Sequence, residues 1–271
     1  MAVSADHTWA LDTARAFDAV AGEYDLTNTA NPILRDMRRR TLKTLRTHVA
    51  FGADLLDIGC GPGTDHQALV ESGYRVTAID ASPEMVRQAQ HRASRAHGSV
   101  SIACLSVDRL DRFASSSFDA AFSNFGPLNC VLDLPAAAAE IHRVLRPGGV
   151  LVASVIGRVC PWEIALYLGR GEIRRAFVRF RRGFVAVPLK RGTVWTRYYT
   201  PRQFTSAFTR AGFERVDCRA LGVIAPPPYL EGFASRHPLL VSRLLACDKA
   251  LASWPVVRSW GDHFLVVLRR G

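Results

Sequence analysis

The chain reads as an α/β protein built on a mostly parallel sheet, and two observations say so. From about residue 53 to 156, apolar runs bounded by turn residues alternate with stretches of helical periodicity, as successive strand-helix-strand units do. The first of those runs, "DLLDIG", breaks into "CGPGTD", which sets glycines at alternate positions between a strand and a helix. After Ile156 the rhythm changes, so residues 157–271 add to the sheet rather than continue its repeat.

The elements succeed one another along the chain. The first 50 residues read as helices ahead of the sheet, and strands are expected at "DLLDIG", "RVTAID", "VSIACL", "FDAAFSN" and "GVLVASVI". Helices fall between them at about 65–72, 83–97 and 134–146. The second is announced by "SPEM", with a serine cap, proline at the first helical position and an acid in the first turn. Beyond Ile156, "PWEIALYLGRGEIRRAFVRFRRG" reads as helical, "FVAVPLKRGTVWTRYY" as a hairpin around "KRG", and "TPRQFTSAFTRAGF" as a capped helix ending at Gly212. Then come "ERVDCRALGVI", a proline break "APPPY", one or two helices through Ser259 and a last strand "HFLVVLRR". The expected organisation is one domain over 1–271: N-terminal helices 1–50, a core 51–156, an insertion 157–200, and a C-terminal part 201–271 with a second insertion 225–262.

Composition bounds the function without choosing it. With 271 residues and 48% hydrophobic content the chain can bury one sizeable core. No basic region leads into an apolar segment at the N-terminus, and no run nears the roughly 18 apolar residues of a membrane span, so a cytoplasmic protein without stable membrane insertion is expected. The six cysteines are scattered and never form CxxC, which suggests neither a metal site nor a disulfide framework. The net charge of +11, nearly all from arginine, permits an anionic substrate, a nucleic acid or a membrane surface.

A strand ending in Asp57 that turns through Gly59, Gly61 and Gly63 lets a ligand approach the backbone closely. About 20 residues on, the next strand ends at Asp80, an acid placed to accept both hydrogen bonds of a ribose diol. These two features fit a nicotinamide cofactor as well as other nucleotide-like ones.

Four segments taken in order, "LLDIGCGPGTD", "VTAIDASPEMV", "SFDAAFSNFGPLN" and "EIHRVLRPGGVLVASV", resemble the class I S-adenosylmethionine-dependent methyltransferases over about residues 10–156. The resemblance implies a Rossmann-like fold with a seven-stranded, mostly parallel sheet, an antiparallel last strand, and helical and hairpin insertions that form a lid. It implies S-adenosyl-L-methionine as cofactor, with Asp57, Gly59, Gly61 and Gly63 around the methionine part, Asp80 and Ala81 on the ribose and Met85 near the adenine. "FDAVAGEYD" is similar to the family's N-terminal segment, in which Tyr24 would pack over the cofactor. The acid that the family often carries after its third strand would fall near Ser106, so Asp108 comes two places late and backbone groups of Val107 offer an alternative.

If ligands bind outside the carboxyl ends of the strands, both insertions begin on the active face and should converge over the cofactor. Methyl transfer from a sulfonium is an in-line displacement that rests mainly on placing the acceptor and excluding water. Candidates for contact with the acceptor are Asn124 and Asn129 after the fourth strand, Tyr198 and Tyr199, Glu163, and Asp262 with His263. Of these, Asn124, Tyr199 and His263 are the candidate catalytic residues, His263 as a general base that its sequence neighbour Asp262 is not expected to orient.

In the first insertion, Trp162, Leu166, Ile173, Phe177 and Phe180 fall within about 60° of one another at roughly 100° per residue, while Arg170, Arg174, Arg175, Arg179, Arg181 and Arg182 fill most of the other faces of an amphipathic helix for which Gly169 and Gly171 offer a break. An apolar stripe packed under a solvated basic face is the plain reading. The leading functional expectation is a small-molecule methyltransferase whose acceptor is apolar and anionic, with no nucleic acid as partner. An RNA or protein methyltransferase docking through the arginines, and a cofactor-binding protein without transfer chemistry, are the alternatives.

Overall fold

A computed structural model of the chain describes residues 5–95, 100–190 and 192–271. Arg191 of the "KRG" turn and the end of the helix expected over 83–97 lie outside the described residues. Three helices come first, α1 (Ala5–Asp18), α2 (Ala21–Ala30) and α3 (Pro32–His48). The repeat is then β1 (Asp54–Ile58), α4 (His66–Glu71), β2 (Arg75–Asp80), α5 (Pro83–Ala93), β3 (Val100–Cys104), β4 (Phe118–Ser123), α6 (Leu134–Val144) and β5 (Leu145–Ile156). The strand β5 begins where α6 ends, so "LRPGG", expected to start as helix, is already extended.

The sheet has seven strands in the order β3-β2-β1-β4-β5-β9-β8, where β8 is Phe213–Leu221 and β9 is His263–Arg270. Only β9 runs against the others, pairing antiparallel with β5 and with β8. This is the α/β architecture with an antiparallel last strand that the sequence predicts. Alternation along each strand splits the core in two. Leu55, Ala78, Phe122 and Val152 join Ile33, Met37 and Leu45 of α3 on one face. Leu56, Ala121, Leu151 and Val266 join Ile141 of α6 and Phe204 and Phe208 of the helix α9 (Pro201–Arg210) on the other. The capping box at Thr200 and Gln203 starts α9, as its sequence announces.

The first insertion breaks where its glycines offer it, but its apolar stripe does not pack as expected. Gly169 and Gly171 break it into α7 (Pro161–Gly169), α8 (Ile173–Ala176) and a 3-10 turn at Val178–Phe180, because Gly171 at φ +73 leaves the helical region. The apolar stripe is therefore not packed: Ile173 is 64% exposed, with Phe177 and Phe180 also facing water, while Arg179 is buried. The hairpin forms as β6 (Val185–Leu189) and β7 (Gly192–Thr196).

The second insertion holds α10 (Glu231–Arg236) and α11 (Pro238–Leu251) and packs on the first, Trp162 donating its indole N–H to Ile224 O and meeting Phe233 at 6.0 Å. No helix among the described residues is long and apolar enough to cross a membrane.

Candidate functional site

At the carboxyl ends of β1, β2 and β4 lies a cavity of about 400 Å³. One wall is the glycine loop. Gly59 has φ +71, and its amide donates to Ile79 O at 2.8 Å. A Cβ there would sit 2.3 Å from the Pro127 ring, so this turn excludes every side chain. Gly63, at φ +75, is pressed against the His66 ring in the same way. Gly61 differs: nothing lies within 4 Å of where its Cβ would be, so it opens onto the cavity.

Asp80, at the end of β2, is what couples this loop to the next one. Its carboxylate accepts the Gly61 amide at 2.8 Å and the Ser82 amide at 2.9 Å. Each oxygen keeps a second lone pair, so the group can still accept from a ligand in the cavity. Burial pushes the Asp80 carboxyl above its usual range, and the two amides pull against that. Asp57 is buried deeper, its pKa also raised by desolvation, with His66 Nε2 3.5 Å away.

Ala81 and Met85 line the cavity beyond Asp80, and Ser106, Val107 and Asp108 line it after β3. Met85 is also core, packed with Val20 and Ala21 and touched by Phe17 and Tyr24. Tyr24 lines the same end, edge-on to Phe17 at 6.2 Å. Asp18 at the end of α1 accepts from Ser82 Oγ at 2.5 Å and from the Glu84 amide at 3.0 Å, which ties the N-terminal segment to the start of α5.

Asn124 lines the cavity, but as one link of a chain. Its amide donates to Asp65 at 3.0 Å and its carbonyl accepts from Ser154 Oγ at 2.9 Å, while Arg38 Nε holds the other Asp65 oxygen at 2.7 Å. Arg38 also stacks over Phe125, 5.0 Å from the ring centroid. Among the described residues lining the cavity Arg38 is the single cation, and the sequence gives no reason to prefer it over its neighbours in "RDMRRR". Asp65, the last residue of "CGPGTD", is a site residue to which the sequence assigned no role, and nothing local marks it as the partner of Arg38.

The far end of the cavity is apolar. Ala10, Ala14 and Phe17 of α1 face Val187, Leu189 and Val194 of the hairpin. Helix and hairpin are joined where Thr13 Oγ1 accepts the Trp195 amide at 3.0 Å, where Trp9 stacks on Trp195 at 4.6 Å, and where Ala16 leaves Gly192 no room for a Cβ between them. Cys130 sits beside Thr196, its thiol pushed up to about 12 by burial and so kept neutral.

Two expectations about this end need correction. The residues of 225–262 do not line the cavity, and the partner of the hairpin in closing it is α1 instead. None of the arginines from 170 to 182 reaches it either.

Six of the seven acceptor candidates, Asn129, Glu163, Tyr198, Tyr199, Asp262 and His263, lie elsewhere. Tyr199 is in the hydrophobic core against Phe204, its hydroxyl raised to about 12 by burial. Asn129 is consumed by backbone: it donates to Ile156 O and Arg197 O and accepts from the Ile156 amide. His263 does not line the cavity, and Asp262 does orient it, Nδ1 lying 2.9 Å from the carboxylate across a single peptide.

Asp262 belongs to a buried ion network in which Arg179 bonds its carboxylate at 2.7 Å, Glu163 at 2.5 Å and the Gly157 carbonyl at 3.0 Å. Tyr198 lies under the guanidinium at 5.2 Å. Burial alone would raise the Asp262 pKa, but Arg179 and then His263 hold it well below the usual carboxylate range. Among the described residues the cluster with metal-ligand spacing is Cys160, Glu163 and Asp262, and Arg179 already holds both carboxylates.

Comparison with known proteins agrees with this geometry. Residues 56–153 match the model of a methyltransferase domain. Malonyl-[acyl-carrier protein] O-methyltransferase of Serratia marcescens is 36% identical over 53% of this chain and 52% of its own length. Demethylmenaquinone methyltransferase of Corynebacterium urealyticum is 36% identical over 58% of this chain and 65% of its own. The chain thus spans between half and two thirds of the length of these two relatives. Among solved structures, 1,6-didemethyltoxoflavin-N1-methyltransferase of Burkholderia thailandensis, with 1,6-didemethyltoxoflavin and S-adenosylhomocysteine bound, superposes with a TM-score of 0.61 at 20% identity, covering 100% of this chain and 92% of that one.

Proposed function

Starting from a core that belongs to the class I S-adenosylmethionine-dependent methyltransferases, we propose that the protein moves a methyl group from S-adenosyl-L-methionine to a small, largely apolar acceptor. The observation that carries this reading is Asp80: a half-buried carboxylate lining the cavity that fastens the Gly61 amide and retains acceptor capacity on each oxygen. A nucleoside diol fits such a group, and the glycine turn beside it leaves room for a ligand against the backbone.

In this reading Asp80 holds the ribose, Met85 and Tyr24 pack on the nucleoside, and Val107 or Asp108 meets the base. Arg38 lies beside the glycine loop, where it can pair with the carboxylate of the methionine part. The bound cofactor supplies an electrophilic methyl carbon. The chain's own work is then to orient and to dry the site. Asn124 is a positioning residue, holding Asp65 and the end of β4 through two hydrogen bonds. Helix α1 and the hairpin exclude water and align the acceptor.

No His, Lys or Glu lines the cavity among the described residues; of its aspartates, Asp65 is engaged by Arg38 and Asn124, Asp80 by two amides and Asp133 by the Ala136 amide, and Asp57 and Asp108 fall to the cofactor in this reading. An acceptor whose lone pair is already free of a proton is therefore favoured. The absence of the arginine segment from the cavity wall favours an uncharged acceptor over an anionic one.

Calorimetry with S-adenosylmethionine and S-adenosylhomocysteine is the first test. Binding of both, lost in Asp80→Ala, is expected; binding of neither refutes the proposal. Binding without formation of S-adenosylhomocysteine on any acceptor in a broad panel would instead favour a cofactor-binding protein that transfers nothing.

A further inference from the structure

The arginines and the apolar side chains of residues 168–182 take no part in the cavity. In this segment Leu168, Ile173, Phe177 and Phe180 are between 42% and 64% exposed. Between them stand Arg170, Arg174, Arg175, Arg181 and Arg182, all on the surface. Clustered large apolar groups facing water are unfavourable in a free monomer and mark a contact surface.

We propose that residues 168–182 are a docking surface for the headgroup region of an anionic bilayer.

The segment is held firmly, so its outward face is a property of the fold. Arg179 points inward and is buried between Glu163 and Asp262. Arg158 holds the far side by donating to the carbonyls of Arg179 and Arg181, at 3.3 and 3.0 Å. Phe177 and Phe180 brace one another edge to face at 5.9 Å, and Arg175 lies 5.9 Å over the Tyr167 ring. Arg179 is taken up inside and Arg175 pairs with Glu172 at 2.7 Å, which leaves Arg170, Arg174, Arg181 and Arg182 exposed in the same segment as the apolar groups; this is the composition that seats at an interface, where aliphatic and aromatic side chains enter the acyl boundary while the guanidinium groups reach phosphate.

Charge complementarity chooses the occupant. A second copy would set one arginine cluster against another in a chain whose net charge is already +11. A nucleic acid would use the arginines, but Leu168 and Ile173 add nothing to the neutralisation of backbone phosphates. Only an anionic lipid surface uses both kinds of side chain.

The placement bears on the site. Strand β6 of the hairpin starts at Val185, directly after the patch, and Val187 and Leu189 line the cavity. A protein seated through this surface therefore holds the apolar end of its cavity near the lipid phase, as suits an apolar acceptor. That consequence rests on the methyl-transfer reading; the docking surface does not.

The experiment is flotation of the full chain with phosphatidylglycerol-containing vesicles and with pure phosphatidylcholine vesicles, at low and high salt. Capture by the anionic vesicles alone, weakened by salt, is expected. Arg174→Gln with Arg182→Gln should lower the partition coefficient by about 25-fold, at about fivefold per arginine. Ile173→Ser with Phe177→Ser should lower it about tenfold and leave its salt dependence unchanged. All four positions are exposed, and circular dichroism checks that each variant folds.

Failure of anionic vesicles to capture the wild type overturns the proposal. So does capture that the serine pair leaves intact, or a ribo-oligonucleotide that outcompetes the vesicles and binds the serine pair as well as wild type. Self-association that the serine pair abolishes, without vesicle capture, assigns the face to a second copy and overturns it too. S-adenosylhomocysteine calorimetry on the same samples decides the cofactor reading separately.

Discussion

At one end of the cavity the walls are backbone amides and carboxylates; at the other they are apolar side chains. The first end is joined by contacts such as Gly61 to Asp80, 19 positions apart. The second depends on Thr13 meeting Trp195, 182 positions apart. A glycine turn and its acid are set by short connections between adjacent strands, so the chemistry is constrained locally. An apolar wall asks only that two amphipathic segments meet, and many side chains satisfy that. The cofactor end should therefore be sensitive to single atoms, while the acceptor end should tolerate change until its supports fail.

The largest effect is expected at a support. Arg179→Leu leaves Glu163 and Asp262 buried without their partner and should cost about 4 kcal/mol in urea unfolding. The same network gives an acid limb. Because Arg179 and His263 hold the folded Asp262 carboxyl below its unfolded value, its contribution is present above the ordinary carboxylate pKa and is lost as pH falls through the folded one. Asp262→Asn should flatten that limb in the pH dependence of stability.

Next comes the contrast within the glycine loop. Gly59→Ala combines a left-handed backbone with overlap on Pro127 and should cost about 3 kcal/mol. Gly61→Ala, whose Cβ meets open space, should cost about 1 kcal/mol. Equal costs would mean that Gly59 is not packed against Pro127.

Asp80→Ala should weaken S-adenosylhomocysteine at least about tenfold, since it removes the charged acceptor of a ligand hydrogen bond and frees the Gly61 amide. The affinity should also fall as pH drops toward the raised pKa of Asp80, because the protonated acid accepts less well. Thr13→Val should leave that affinity nearly unchanged while costing about 1 kcal/mol of stability for the unpaired Trp195 amide. If Thr13→Val weakens the cofactor as much as Asp80→Ala does, the two ends are not separable.

The smallest effect should be at His263. His263→Gln should lose far less turnover than the roughly hundredfold that loss of a general base costs. Its ring is engaged by Asp262 and packs edge-on to Phe125 at 6.0 Å. A hundredfold loss would return it to the site.

Most of the fold was legible because alternation, caps and glycines act within a few residues of one another. The strands β1 to β5 and the cap at Thr200 are marked in that way, whereas the antiparallel direction of the last strand came only from the resemblance to the methyltransferases. The glycine-loop end was legible for the same reason, down to Asp80 and Ala81. Arg38 was not: Arg35, Arg39, Arg40 and Arg46 stand close by on the same helix, and nothing local tells which one faces inward. In the arginine segment the glycines at 169 and 171 marked the break, but not that Arg179 would turn inward while Ile173 and Phe177 face water, because the stripe's periodicity holds only for one continuous helix.

By itself the sequence determined the parallel strands of the sheet, apart from the early start of β5, and the loop that a nucleoside cofactor would need. Only the tertiary structure decided which arginine enters the cavity, which is buried in the Glu163 and Asp262 network, and that α1 rather than the second insertion closes the apolar end of the cavity. The reason is one of range: backbone conformation is set by neighbours in the chain, whereas burial of a side chain depends on segments that meet only after folding.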